Sequence, residues 1–198
     1  PVDAVVGENG AFWFRYDDGR KRMIRHFAGS NSEPQGDRHI EIIARRVLDA
    51  VPGTALASDQ HYRAVDVAID FAEDVAPLGR EAVERIVRMF EDAGASAKVS
   101  SIHVNAWYGE HDKLSTSLDL LDAAFGIDGR ADRERIVYVG DSPNDAPMFG
   151  FFPNAVGVAN VRDFVGRMPS LPAYVTLGRS AEGFAELADR LIAARVAP

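Results

Sequence analysis

Two carboxylates and an amide follow a short apolar segment late in the chain, and together they could bind a hard metal ion. The segment at residues 136–139 is rich in β-branched residues, which predicts a parallel strand buried on both faces. Asp141, Asn144 and Asp145 follow it directly. Open α/β sheets place their ligands at the carboxyl ends of strands, and oxygen ligands suit Mg²⁺. The spacing therefore predicts a magnesium site, and the alternative is an Asp-rich turn that caps the next helix.

This loop resembles the last sequence motif of the haloacid dehalogenase superfamily of phosphatases. The motif reads G-D-S-P-N-D at residues 140–145, after an apolar strand and before a second predicted strand at 155–158. The resemblance implies Mg²⁺ as the cofactor, with Asp141 and Asp145 as its protein ligands. It also implies that Asn144 binds the substrate phosphate and that Asp145 takes part in catalysis.

Two further segments resemble the same superfamily. The stretch HVNAWYGEHDKLSTSLDLL resembles its lysine motif, which implies that Lys113 holds the nucleophile and the transferring phosphoryl group. Taken alone, Lys113 could equally be a solvated helix lysine. The stretch VVGENGAFWF resembles the ENGA turn through which the sugar-phosphatase branch passes from its catalytic core into its cap. The three segments together resemble the branch with an α/β cap, which includes sucrose-phosphatase and phosphomannomutase proteins.

The nucleophile motif of that superfamily, D-x-D-G-[TV], does not occur in the chain. In the superfamily this motif and a Ser/Thr motif precede the ENGA turn, whereas here the chain begins at Pro1, shortly before Gly7. The segment Y-D-D-G at residues 16–19 lacks the required spacing and is typical of a hairpin turn. We therefore expect the chain to be the carboxy-terminal part of a longer phosphatase, with the nucleophile outside it.

The hydrophobic periodicity predicts the elements that would position these residues. Alternating residues predict strands, 3.6-residue spacing predicts amphipathic helices, and Asp37 is a candidate helix cap after a polar loop at residues 29–36. We expect the strand at 65–71 to be half-buried, and we expect a single strand at 99–106 with a bulge at its two serines. The remaining predicted strands are at 2–6, 12–16, 23–27, 136–139, 155–158 and 174–177, and the predicted helices include 40–51, 83–93, 113–125 and one starting at 180.

This order of elements predicts an α/β protein, a partial doubly wound core of the haloacid dehalogenase type with an inserted α+β cap. We expect a core strand and hinge at residues 1–11 and the cap at residues 12–106. Residues 107–198 would then form the carboxy-terminal half of the core.

Composition excludes several classes of function. The 198 residues carry a formal net charge of -8, which argues against a nucleic-acid partner because phosphate backbones bind clustered Lys and Arg. The chain has no cysteine, so disulfides and thiolate catalysis are excluded. No apolar run approaches the length of a membrane span, and we expect no membrane partner and a cytoplasmic location. The oligomeric state is left open.

Three polar residues of the predicted cap are candidates for substrate binding. Arg63, His103 and Asn105 lie on or beside strands that lead toward the predicted hinge. A histidine that alternates with apolar residues also suits a structural role, so that alternative stays open for His103.

Three functions fit these features. The first is a Mg²⁺-dependent phosphatase that hydrolyses a small phosphorylated metabolite, which we expect to be a sugar phosphate, through an aspartyl-phosphate intermediate. The second is a phosphomutase of the same fold, which would return the phosphoryl group to a sugar. The third is a non-catalytic domain that binds a sugar phosphate.

Overall fold

The computed structural model describes residues 2–29 and 38–196, and it has the mixed α/β architecture that the sequence predicts. It divides into two compact units, the first extending to Ile127 and the second beginning at Asp128. This division follows packing contacts, so the predicted core and cap boundaries stay a prediction. The predicted cap residue Asp37 and most of its preceding loop lie outside the described residues. No helix in the described ranges is long and apolar enough to cross a membrane.

The first unit opens with an antiparallel meander of strands β1 (Val5–Gly7), β2 (Phe12–Asp17) and β3 (Arg22–Phe27). The predicted hairpin between β2 and β3 is confirmed. Its turn is closed by Asp17, whose Oδ1 accepts a hydrogen bond from the backbone N–H of Arg20 at 2.9 Å. The Y-D-D-G segment is therefore a structural turn, as the sequence predicts.

A four-stranded antiparallel sheet with two helices makes up most of the first unit. Its elements are α1 (Arg38–Ala50), β4 (Ala55–Leu56), β5 (Val67–Asp70), α2 (Arg80–Glu91), β6 (Ser96–Val99) and β7 (His103–Trp107). The strand order is β4-β5-β7-β6, and both helices contribute to one apolar core with the sheet. Ile69 and Val104 are fully buried there beside Val47, Ile86 and Phe90. The helices predicted from periodicity are confirmed.

The prediction that the strand at 65–71 is half-buried is wrong, because all four residues of β5 are buried. Its last residue, Asp70, is 0% exposed and accepts backbone N–H bonds from Ala72, Glu73 and Asp74 at 2.8 to 2.9 Å. Burial raises the pKa of the Asp70 carboxyl, but these three donors outweigh it and hold the pKa below its usual value. The three backbone donors replace the hydrogen bonds that the Asp70 carboxylate makes with water in the unfolded chain. An aspartate in an alternating pattern therefore does not have to lie on an exposed face of the strand.

The prediction of one bulged strand at residues 99–106 is wrong, because the segment contributes to two strands, β6 and β7, joined by a tight turn. Ser100 closes this turn: its N–H donates to the carbonyl of His103 at 2.8 Å, and its Oγ accepts from the N–H of His103 at 2.9 Å. Hydrophobic alternation continues on both sides of the turn. The alternation shifts at the two serines, and such a shift does not distinguish a bulge from a reversal of the chain.

Helix α3 (Lys113–Phe125) ends the first unit, with the bounds that the sequence predicts. Asp112 caps its first turn in a capping box with Ser115, and Gly126 ends it with a φ of 65°. The helix packs against the meander, where Asp119 accepts a hydrogen bond from the Trp13 indole at 3.1 Å. Its amino-terminal residue, Lys113, is therefore held on a well-defined helix end.

The second unit contains a parallel three-stranded sheet with the strand order β10-β9-β8. Its elements are β8 (Val137–Gly140), α4 (Ala146–Phe151), β9 (Asn154–Gly157), β10 (Tyr174–Val175) and α5 (Ser180–Val196). The parallel pairing confirms the predicted strand and helix alternation. The prediction that the first of these strands is buried on both faces is wrong, since Val137 is 41% exposed. Along the described residues β8 pairs only with β9, so it is an edge strand.

Candidate metal and phosphate site

The loop that carries the predicted metal ligands leaves β8 at Gly140 and forms a turn of 3₁₀-helix at Pro143–Asp145. Gly140 is needed here because the Asp145 side chain lies against it. A Cβ atom at position 140 would come within 2.6 Å of Asp145 Oδ2. The loop is therefore built around the Asp145 carboxylate, which is only 3% exposed.

Both oxygens of Asp145 accept hydrogen bonds within this unit. Oδ2 accepts from the backbone N–H groups of Asp141 at 2.9 Å and Ser142 at 3.3 Å. Oδ1 accepts from the Tyr138 hydroxyl at 2.5 Å. Burial, together with the negative charge of Asp145, raises the pKa of Tyr138, so this hydroxyl stays protonated and donates. Asp145 thus ties strand β8 to the loop that follows it.

Ser142 brings the other two predicted residues together. Its buried hydroxyl lies 3.0 Å from Asp141 Oδ1 and 2.9 Å from Asn144 Oδ1. A hydroxyl has one hydrogen and serves one of these oxygens at a time, but both must lie beside it. The structure therefore gathers Asp141, Asn144 and Asp145 on one loop. Sequence reasoning missed Ser142 and Tyr138, although Ser142 stands inside the quoted motif.

The chemistry of this donor set fits Mg²⁺. Asp141 and Asn144 are half-buried and supply hard oxygen donors beside each other. Mg²⁺ binds one or two carboxylates and fills its octahedral shell with water and substrate phosphate. Within the described ranges, no group of three or more His, Cys, Asp or Glu side chains could hold a metal ion. The loop thus fits a partial coordination shell of the kind that Mg²⁺ uses.

Lys113 lies in the first compact unit, where two of the segments that carry the resemblance meet. Gly10, in the ENGA turn, has a φ of 98° and packs against the backbone of Asp112, so that a Cβ there would be 2.1 Å from the Asp112 carbonyl oxygen. Thr116 adds a buried hydrogen bond of 2.6 Å from its hydroxyl to the Gly10 carbonyl. The ENGA turn and the start of the lysine helix therefore form one packed substructure.

The ENGA turn also holds a second loop. Glu8 has a φ of 43°, and its carboxylate accepts the backbone N–H groups of Ala64, Val65 and Asp66 at 2.8, 2.6 and 3.0 Å. Such strain in a non-glycine residue persists only where its surroundings enforce it, and three charge-assisted hydrogen bonds do so here. The turn is a clamp on the loop at residues 64–66.

Arg63 is placed within an ion-pair network. Its guanidinium binds both oxygens of Asp59 at 3.0 Å and Asp66 Oδ1 at 2.9 Å. Burial raises the pKa of the Asp66 carboxyl, while the Arg63 charge opposes this rise. Asn9 completes the network by donating to Asp66 Oδ2 at 2.9 Å. The predicted role of Arg63 in substrate binding stays a prediction, and the observed contacts are structural.

His103 and Asn105 share one face of β7, because alternate residues of a strand point the same way. The other face, with Val104 and Ala106, belongs to the apolar core. His103 Nε2 lies 2.8 Å from a carboxylate oxygen of Glu73, an ion pair when the imidazole is protonated. Among the described residues, Asn105 Oδ1 is buried without a hydrogen-bond partner. Trp107 Nε1, two residues further along this strand, is also buried and unpartnered in that part of the chain.

Comparison with known proteins identifies the fold. No family model matches the chain, and no curated protein matches it. The sucrose-phosphatase of Synechocystis sp. PCC6803, solved with sucrose and phosphate, is 14% identical with a TM-score of 0.62 over 95% of this chain and 73% of that one. Thermoplasma acidophilum protein 0175 is 16% identical with a TM-score of 0.60 over 93% of this chain and 70% of that one.

A third similar structure is the haloacid dehalogenase subclass IIB sugar phosphatase BT4131, at 13% identity and a TM-score of 0.57 over 96% of this chain and 76% of that one. Likeness at such low identity establishes fold and not activity. The chain therefore has the haloacid dehalogenase fold, as its motifs predict.

Proposed function

We propose that the chain belongs to a phosphatase of the haloacid dehalogenase superfamily that hydrolyses a small phosphorylated metabolite, a sugar phosphate, with Mg²⁺. One observation carries this proposal. On a haloacid dehalogenase fold, the loop after the parallel strand β8 collects Asp141 and Asn144 around the Ser142 hydroxyl. Ligands of α/β sheets bind at this end of a strand, which supports a site for a metal and a phosphate there.

In the proposed reaction the chain contributes charge and positioning. Mg²⁺, when bound, would neutralise negative charge on the phosphoryl oxygens. We assign its contact with this loop to Asp141, while the predicted roles of Asp145 in metal binding and catalysis, and of Asn144 in phosphate binding, stay predictions. The Lys113 ammonium would offset charge on the nucleophile and on the transferring phosphoryl group. The nucleophile itself, an aspartate that becomes phosphorylated, is proposed to come from outside residues 1–198.

Asn105 stays a proposed substrate contact on the face of β7 that lies away from the apolar core. Within the described part of the chain, Asn105 Oδ1 and Trp107 Nε1 are buried without a hydrogen-bond partner, and such an atom costs stability unless a ligand or water satisfies it. His103, which lies on the same face, stays a candidate for substrate binding. Arg63 is a weaker candidate because two carboxylates already bind its guanidinium.

The test is an assay of phosphate release by the protein expressed from its complete reading frame. A panel of hexose, disaccharide and polyol phosphates is compared with nucleotides, with Mg²⁺ and after removal of metal by EDTA. We expect hydrolysis of sugar phosphates that EDTA abolishes and added Mg²⁺ restores. Transfer of the phosphoryl group to a second position of the sugar would instead identify a mutase. An absence of metal-dependent hydrolysis or transfer with every ester would overturn the proposal.

A further inference from the structure

We propose that Tyr138 is a positioning residue for the metal site: its hydroxyl fixes Asp145, and Asp145 in turn sets the direction of the Asp141 carboxylate. This inference rests on the proposed function, because it assigns the metal contact to Asp141. It also gives Asp145 a different task from Asp141, although both belong to the same motif. All residues concerned lie in the second compact unit.

The Tyr138 ring is held in place by two aromatic neighbours. It makes an edge contact with Phe149 at 5.8 Å between centroids and stacks on Phe152 at 6.1 Å. Both phenylalanines are almost fully buried. A tyrosine packed on two aromatic rings has few accessible rotamers, so its hydroxyl is presented in one direction. The hydroxyl is therefore a fixed donor at the end of β8.

The Tyr138 hydroxyl donates to the Asp145 carboxylate, whose rotation is already restricted. Tyr138 donates to Asp145 Oδ1 at 2.5 Å, and Asp145 Oδ2 lies against Gly140 and accepts from two backbone N–H groups. Rotation of the carboxylate would break bonds at both oxygens together. Hydrogen bonds to charged groups are the stronger ones in proteins, so the orientation of Asp145 is set from both sides.

Asp145 in turn positions the proposed metal ligand Asp141. The N–H groups that Asp145 accepts belong to Asp141 and Ser142, so its position fixes the backbone of both residues. The Ser142 hydroxyl then lies against Asp141 Oδ1. Residues that hydrogen-bond to the surroundings of a metal ligand commonly control metal affinity. Tyr138 would thus influence metal binding through Asp145, Ser142 and Asp141, without being a ligand itself.

The experiment compares Tyr138→Phe with Tyr174→Phe, which removes the same hydroxyl from a tyrosine of the same unit that is 61% exposed. Mn²⁺ binding is measured by electron paramagnetic resonance, and kcat is measured as a function of Mg²⁺ concentration. We expect Tyr138→Phe to weaken Mn²⁺ binding by about tenfold. Its kcat at saturating Mg²⁺ should approach that of the parent, because Asp141 is still present. Tyr174→Phe should leave both quantities unchanged.

A purely structural role for Tyr138 would lower the melting temperature without changing the Mg²⁺ concentration needed for half-maximal activity. That result, or Mn²⁺ binding equal to that of the parent, would overturn the inference. Ser142→Ala, which removes the hydroxyl beside Asp141 Oδ1, is the second variant if Tyr138→Phe does not fold, with weaker Mn²⁺ binding expected and parental affinity as the contrary result. A protein that hydrolyses no ester but loses Mn²⁺ affinity in Tyr138→Phe would refute the proposed function and keep the inference. Parental Mn²⁺ binding in an active Tyr138→Phe enzyme would refute the inference and leave the proposed function standing.

Discussion

Two loops of this protein are organised by the same device, a carboxylate that accepts backbone N–H groups, but over very different sequence separations. In the first unit Glu8 holds the loop at residues 64–66. In the second unit Asp145 holds Asp141 and Ser142, its near neighbours in the chain. The long-range carboxylate joins distant segments and maintains the fold. The short-range carboxylate shapes the turn that carries Asp141, the proposed metal ligand. We infer that similar hydrogen bonds stabilise the fold in the first unit and, under the proposed function, position a metal ligand in the second.

Removing the proposed metal ligand Asp141 should have the largest effect of the changes considered, and it should affect activity and not stability. We expect Asp141→Ala to lower kcat by at least about a thousandfold, because a bound metal supplies several kcal/mol of transition-state stabilisation. The melting temperature should change little, since Asp141 is half-buried at the surface of the loop. Asp189→Ala, at an exposed position of α5, is the matched control and should retain full activity. Activity of Asp141→Ala within a few-fold of the parent at saturating Mg²⁺ would contradict the assignment.

Replacing Lys113 tests whether the first unit contributes a residue to the proposed reaction or has a structural role alone. We expect Lys113→Ala to reduce kcat by more than about a hundredfold, the usual cost of removing a preorganised charge from a transition state. Steady-state kinetics would be compared with Lys21→Ala, which removes an exposed lysine of the β2–β3 turn. An unaltered rate would return Lys113 to the role of a solvated helix residue and confine the chemistry to the second unit.

The Glu8 clamp should affect stability. We expect Glu8→Ala to lower the free energy of unfolding by about 3 kcal/mol, because three backbone N–H groups lose a charged acceptor. Urea denaturation would measure the loss, with Glu91→Ala on exposed α2 surface as the control. A loss no larger than that of the control would mean that water replaces the carboxylate at no cost, and the proposed contrast between the two loops would not hold.

The smallest effect concerns acid stability and Asp70. Its pKa is lower in the folded protein than the value of 3.8 for an unperturbed Asp. The unfolded chain therefore binds this proton more readily, and the stabilisation by the Asp70 carboxylate is present above about pH 4 and is lost as the pH falls through the folded-state pKa. Asp70→Asn should remove this part of the acid dependence, which denaturation curves between pH 2 and pH 6 would show. An unchanged slope would assign the acid dependence to other carboxylates.

The sequence predicted most of the fold and the composition of the candidate site because these depend on local signals. Helix α3 was predicted to its bounds, since Asp112 caps it and Gly126 ends it. The loop residues Asp141, Asn144 and Asp145 were predicted as a cluster because a short turn leaves them no room to separate.

What the sequence could not predict depends on contacts between distant residues or on the environment of an element. The link from Glu8 to Asp66 spans most of the first half of the chain, and no periodicity encodes it. The Ser100 turn was missed because a shift of alternation at two serines fits a bulge within one strand as well as a turn between two strands. The exposure of Val137 was missed because burial of a strand depends on its neighbours, which its own residues do not specify.

The tight fit at Gly10 makes this position a practical genetic tool. A methyl group there would collide with the Asp112 carbonyl, and alanine also disfavours the φ of 98°. Gly10→Ala would therefore weaken the join between the ENGA turn and α3 without changing any group assigned to metal or substrate. Such a change should give a temperature-sensitive allele, active in cells grown cool and lost in cells grown warm. A shift in growth temperature would then inactivate the protein in living cells and test the proposed function by showing whether a phosphorylated metabolite accumulates.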